Sequence, residues 1–131
     1  MSTTRIQVIE HTFHASNEGR IHFGDVVRQL AEVQVESYQV DYRAGRATYF
    51  LADGGTHTLS FAPPAAPIPQ PFDGDAVRAA IRGAQQGRVM YPEFKLLTQQ
   101  AGCAGYTVWI TGRHVTYYGR QGETHVERFP D

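Results

Sequence analysis

Apolar residues first recur at helical spacing. Ile6, Ile9 and Phe13 predict a helix over 5–18, with Thr3 or Thr4 as its N-cap and Gly19 as its stop. Val26, Val27, Leu30 and Val33 predict a second helix over 24–33. The period then changes to two: Tyr38, Val40 and Tyr42 alternate with Gln39 and Asp41, which predicts a half-buried strand. Gly45 marks a turn into a strand near 46–51, and Asp53-Gly54 a tight turn into a strand near 55–61. After residue 73 the order starts again. Helices are expected over 75–86, capped by Asp73 or Asp75 and ended by Gly87, and over 92–101, with Pro92 at the first position and Gly102 at the end. Tyr106, Val108 and Ile110 repeat the alternation, with Gly112 as the next turn and strands near 114–119 and 123–129. The expected fold is α+β, with about four helices packed on one face of about six strands. The strands are mostly antiparallel, because their connections are too short for crossovers.

The recurrence has a residue-level counterpart. Offsetting the chain against itself by 68 positions gives ten identities in 56 aligned pairs, among them Gly19/Gly87, Tyr38/Tyr106, Tyr49/Tyr117, Gly54/Gly122 and His57/His125. Ordinary residue frequencies would give about three. A single domain over 1–131 is therefore expected, built as a tandem duplication of a helix-helix-three-strand unit, 6–61 and 74–129. The linker 62–72 holds five prolines and reads as a spacer, spanning roughly 30 Å if it forms polyproline II at ~3.1 Å per residue.

Composition narrows the function classes. The formal net charge is −1, from 12 basic and 13 acidic residues, and there is no basic tract, so a nucleic-acid partner is not expected. No apolar run approaches the ~20 residues that span a bilayer, and residues 1–20 lack a signal peptide's apolar core. A cytoplasmic protein without membrane contact is expected. The single cysteine, Cys103, leaves no internal disulfide and no cysteine-based zinc site. It aligns with Val35 and reads as a small buried residue.

The candidate chemistry lies in the repeated polar residues. A three-residue loop at 52–54 would place Tyr49 opposite His57, and the same count places Tyr117 opposite His125. A two-residue loop would instead turn His57 toward Phe50 and Thr48. Each histidine reads either as a buried imidazole bonded to tyrosine or a backbone carbonyl, or as half of a His/Tyr acid–base pair. The second copy adds Glu127 where the first has Leu59, and Glu123 where the first has Gly55. This makes His125, Tyr117 and Glu127 the catalytic candidates, against the plainer reading that Glu127 sits in water on a fraying edge. Ligand-binding candidates are His57, Tyr49, Arg88 and Trp109. Arg20 and Arg88 follow helix-ending glycines and could instead bond the last helical carbonyls. Trp109 should stand on the open sheet face. His11 and His14 could share a helix face, but their counterparts are Ala79 and Arg82, so no duplicated metal site exists and none is expected. No cofactor is expected.

Tyr-Pro-Glu-Phe at 91–94, Ala-Gly-Cys-Ala-Gly-Tyr at 101–106 and the tail from Tyr117 to Pro130 carry a resemblance. The chain resembles the YbcV-like family, domain of unknown function 1398, some members of which are labelled phage envelope protein. The resemblance implies a small soluble protein and brings no activity with it. The leading expectation is a binding or accessory domain for a small molecule or protein partner. One rival is a small acid–base enzyme of lyase or isomerase type, using His125 as base and Tyr117 as acid. Another is an assembly protein that forms a homodimer through the sheet face around Trp109.

Overall fold

The computed structural model describes residues 3–130. Its elements follow the order of the hydrophobic pattern: α1 (Thr3–Asn17), α2 (Phe23–Glu32), β1 (Val35–Asp41), β2 (Arg46–Leu51), β3 (Thr56–Ser60), α3 (Gly74–Gln85), α4 (Tyr91–Gln100), β4 (Cys103–Trp109), β5 (His114–Gly119) and β6 (Thr124–Arg128). The six strands form one open antiparallel sheet in the order β3-β2-β1-β4-β5-β6. Every neighbour in sequence within a half is a neighbour in space, as short hairpin connections require.

The strand period of two sorts the sheet into two faces. Tyr38, Val40, Tyr49, Tyr106, Val108 and Tyr117 are buried in one core with Ile9 and Phe13 of α1, Leu30 of α2, Val77 and Ile81 of α3, and Phe94 of α4. The other face presents Gln39, Thr48, Thr58, Trp109, Thr116 and Val126, most of them at least partly exposed.

Local chemistry sets the element ends. Asp73 caps α3, its Oδ1 accepting from Ala76 N at 3.0 Å. Pro92 lies in the first turn of α4, where a missing N–H costs nothing. Helix α1 begins at Thr3, so Thr3 is helical and the cap lies outside the described residues.

Halves one and two repeat each other's geometry at the same offset of 68. Bulges fall between Val35 and Ser37 and between Cys103 and Gly105. The positive-φ residues fall into four pairs, Gly19/Gly87, Gln34/Gly102, Gly45/Arg113 and Gly54/Gly122. The turn after β4 contains Gly112, as expected, and its left-handed position is taken by Arg113 at φ 61°. At the centre, β1 and β4 pair with Gln39 opposite Thr107, which are themselves equivalent positions. The two halves therefore meet about a local two-fold axis.

The linker is more than a spacer. Phe61 N donates to Gly45 O at 2.9 Å, Arg120 Nη1 to Ile68 O at 3.0 Å, and Asp73 N to Ala101 O at 2.7 Å. Ile68 is buried with the core. Phe72, at the linker's end, also packs against the core, so two apolar side chains among five prolines anchor the crossing.

Candidate functional site

The hairpin registers bring the sequence candidates together in pairs. Leu51 N donates to Gly55 O at 2.9 Å, with Gly54 in the left-handed region at φ 96°, so the loop has three residues and Tyr49 stands opposite His57. Gly119 N donates to Glu123 O at 2.7 Å, and Tyr117 stands opposite His125. The Tyr117 and His125 rings lie 6.3 Å apart.

In the second half, Glu127 does not fray into water. Its Oε2 accepts from Arg82 Nη1 at 2.8 Å and from Gln85 Nε2 at 3.4 Å, and its Oε1 lies 3.3 Å from His125 Nε2. Side-chain exposure is only 17%. Burial raises the carboxyl's pKa, but the bonds from Arg82 and His125 outweigh it, and the net shift is downward. The strand period points Glu127 at the helices, and Arg82 on α3 is the cation that meets it there. The Tyr117 hydroxyl has no hydrogen bond to His125 or Glu127, and burial drives its pKa well above the ordinary phenol value.

In the first half, His57 Nε2 lies 3.6 Å from Glu10 Oε2 and has no hydrogen-bond partner among the described residues, so the expected bond to tyrosine or carbonyl is absent. Tyr49 is buried and stacks on Tyr38 at 5.2 Å. Arg88 Nε donates to Gln86 Oε1 at 2.8 Å, and Arg20 Nε to Glu18 Oε1 at 2.7 Å. The expected contacts of these side chains with helical carbonyls are thus replaced by bonds to a neighbour two residues back. The turn carbonyls are met by the backbone instead, as Arg20 N donates to Ala15 O and Arg88 N to Gly83 O. Trp109 is on the open face, 39% exposed, stacked on His114 and donating to Thr116 Oγ1 at 3.2 Å. Cys103 is buried, and burial pushes its thiol up to about 11.

What the sequence candidates did not point to is a cavity of about 560 Å³ between α2, α3 and α4 and strands β1, β4, β5 and β6. Tyr38, Tyr91, Phe94, Tyr106 and Tyr117 line its interior, and Glu127 belongs to its wall. Phe23, Phe129 and Arg128 stand at its mouth with His22 and Gln86. Tyr106 donates to the Tyr91 hydroxyl at 2.7 Å. Of the residues singled out earlier, Tyr117 and Glu127 reach this space, whereas His125, His57, Arg88 and Trp109 do not line it.

The first half has the same place, almost filled. Phe13, Ser16, Asn17, Ala47, Tyr49 and Phe61 line a gap of about 30 Å³, and the offset of 68 carries them onto Ile81, Ala84, Gln85, Val115, Tyr117 and Phe129 of the large cavity. Phe13 packs on Phe61 at 6.4 Å. The counterpart of Phe13, Ile81, is smaller and carries no ring, and Phe129 meets the Phe23 ring at 5.9 Å. Lys95 completes the closure of the first site, with Nζ 4.6 Å over the Phe61 ring and donating to Asn17 Oδ1 at 2.7 Å. Its counterpart is Val27, which has no such reach. The Phe13/Ile81 and Val27/Lys95 differences were the sequence signal for an open second site.

Over 58 residues, 44% of this chain, the sequence is 33% identical to uncharacterized proteins of Mycobacterium bovis and Mycobacterium tuberculosis. That stretch is 35% of their length, so the chain spans about a third of the curated relatives it matches. A broader match covers nearly the whole chain and carries no activity with it. The chain belongs to the family described as Protein of unknown function (DUF1398), whose model matches residues 2–127.

Proposed function

We propose that this chain is a small-molecule binding domain whose site is the aromatic cavity between its helices and sheet, lined mainly by its second half. The cavity's volume carries the reading. The cavity holds about 560 Å³ and opens at a mouth, and its largely apolar, aromatic wall offers water few hydrogen-bond partners, so its size and lining suit a drug-sized apolar molecule. Its counterpart in the first half is closed by ordinary packing, so an open site is not a requirement of the fold.

The reading includes a tandem duplication of 6–61 and 74–129 with later divergence of one site. The shared element order, bulge positions and positive-φ pairs support it. An acid–base role for Tyr117, His125 and Glu127 has less support, because Glu127 is held by Arg82 and the Tyr117 hydroxyl is bonded to neither partner. Assembly through the open face has the exposed Trp109 and Val126 in its favour, and it predicts a dimer by light scattering that Trp109→Ala dissociates.

Titration with the neutral dye N-phenyl-1-naphthylamine tests the cavity. One equivalent should bind with enhanced fluorescence. Ala84→Phe, which projects from α3 into the cavity, should abolish binding while far-ultraviolet circular dichroism is unchanged. A chain that binds no dye, or an Ala84→Phe variant that binds as the wild type does, refutes the assignment.

A further inference from the structure

The binding reading leaves the ligand's polarity open, and the cavity's hydroxyl groups constrain it. Tyr38 and Tyr117 are each 6% exposed and line the cavity. Neither hydroxyl has a hydrogen-bond partner among the described residues. A buried tyrosine hydroxyl ordinarily finds one, and phenylalanine would fill the same space without that demand. The only side-chain atom both sealed from solvent and without a partner among the described residues is His57 Nε2, so these two phenolic oxygens are not sealed off; Tyr117 lines the large cavity, and Tyr38 lines both that cavity and the small gap of the first half.

Most of the other polar groups of the wall are already engaged, the Ser16 hydroxyl and the exposed His22 aside. The Tyr91 and Tyr106 hydroxyls bond each other. Glu127 spends one oxygen on Arg82 and Gln85 and the other on His125. Arg128 and His22, at the mouth, are the cationic or ionisable bases that line the cavity among the described residues, and both are exposed. A ligand carboxylate reaching the tyrosines would lose its hydration without meeting a cation, at a cost of several kcal/mol. An ammonium would find no free carboxylate there. Burial keeps both phenols protonated across the physiological range, so each can donate.

We propose that the cavity selects a flat, largely apolar molecule carrying a neutral oxygen, such as an aryl ketone, and that the Tyr38 and Tyr117 hydroxyls are the groups that bond that oxygen. This rests on the cavity being a ligand site, as argued above.

Isothermal titration with four matched compounds tests it: naphthalene, 2-acetylnaphthalene, 2-naphthoate and 2-naphthylmethylammonium. The ketone should bind about tenfold tighter than naphthalene, as one satisfied buried hydroxyl implies. Tyr38→Phe and Tyr117→Phe should each erode that advantage while leaving naphthalene affinity unchanged. Equal binding of ketone and naphthalene, tightest binding of either charged compound, or Phe variants that leave the ketone's advantage intact would overturn the ligand class and leave the cavity reading standing. Failure of all four, naphthalene included, would overturn both.

Discussion

Tyr42 and Thr98 show what single side chains contribute far from the site. Both are fully buried, and their hydroxyls lie 2.9 Å apart while Thr98 also donates to Phe94 O. Thr98→Val keeps the volume and removes the Tyr42 hydroxyl's bond to Thr98, so it should cost about 1 kcal/mol in urea unfolding. Glu127 has a pH signature. Its folded pKa lies below the ordinary value, so its bonds stabilise the fold above the ordinary carboxylate range, and that contribution is lost as pH falls through the folded value. Glu127→Gln should lower stability at pH 7 by about 1 kcal/mol, because Arg82 is half exposed and screened. Acid titration of the variant should show a correspondingly smaller loss, and a variant that unfolds in acid along the wild-type profile would contradict this.

Among the elements, turn conformation outlasts residue identity. Gln34 and Arg113 occupy left-handed backbone that their counterparts Gly102 and Gly45 hold without a Cβ. The chain tolerates the strain because each position closes a connection fixed at both ends. Gln34→Gly should therefore stabilise by about 0.5–1 kcal/mol in thermal melts, net of the added unfolded-state entropy. Gly102 is bound in a second way. A Cβ there would run into the Pro71 carbonyl, whereas at Gly122 it would meet nothing. Gly102→Ala should cost at least 1 kcal/mol more than Gly122→Ala, and equal costs would mean that the linker yields there. The linker's docking was not legible in the sequence, because a proline-rich composition is the same whether the segment lies free or packs through Ile68 and Phe72.

For the whole molecule, the β1–β4 seam predicts cooperativity. Tyr38 and Val40 of one half and Tyr106 and Val108 of the other are buried in one core across that pairing. Far- and near-ultraviolet circular dichroism should therefore report one coincident thermal transition, and two separated transitions would mean that the halves fold independently. The alternation of apolar and polar residues, the helix-stopping glycines and the offset of 68 were enough to place four helices, six strands and the His57 and His125 registers, because those features depend on local periods of 3.6 and 2 and on turn length. Tertiary packing alone decided the rest. Arg82 meets Glu127 across 45 residues, and Lys95 closes the first site against Phe61 and Asn17 on other elements. Whether a place in the core is filled or hollow depends on side-chain volumes summed over elements distant in sequence, and no local period carries that sum.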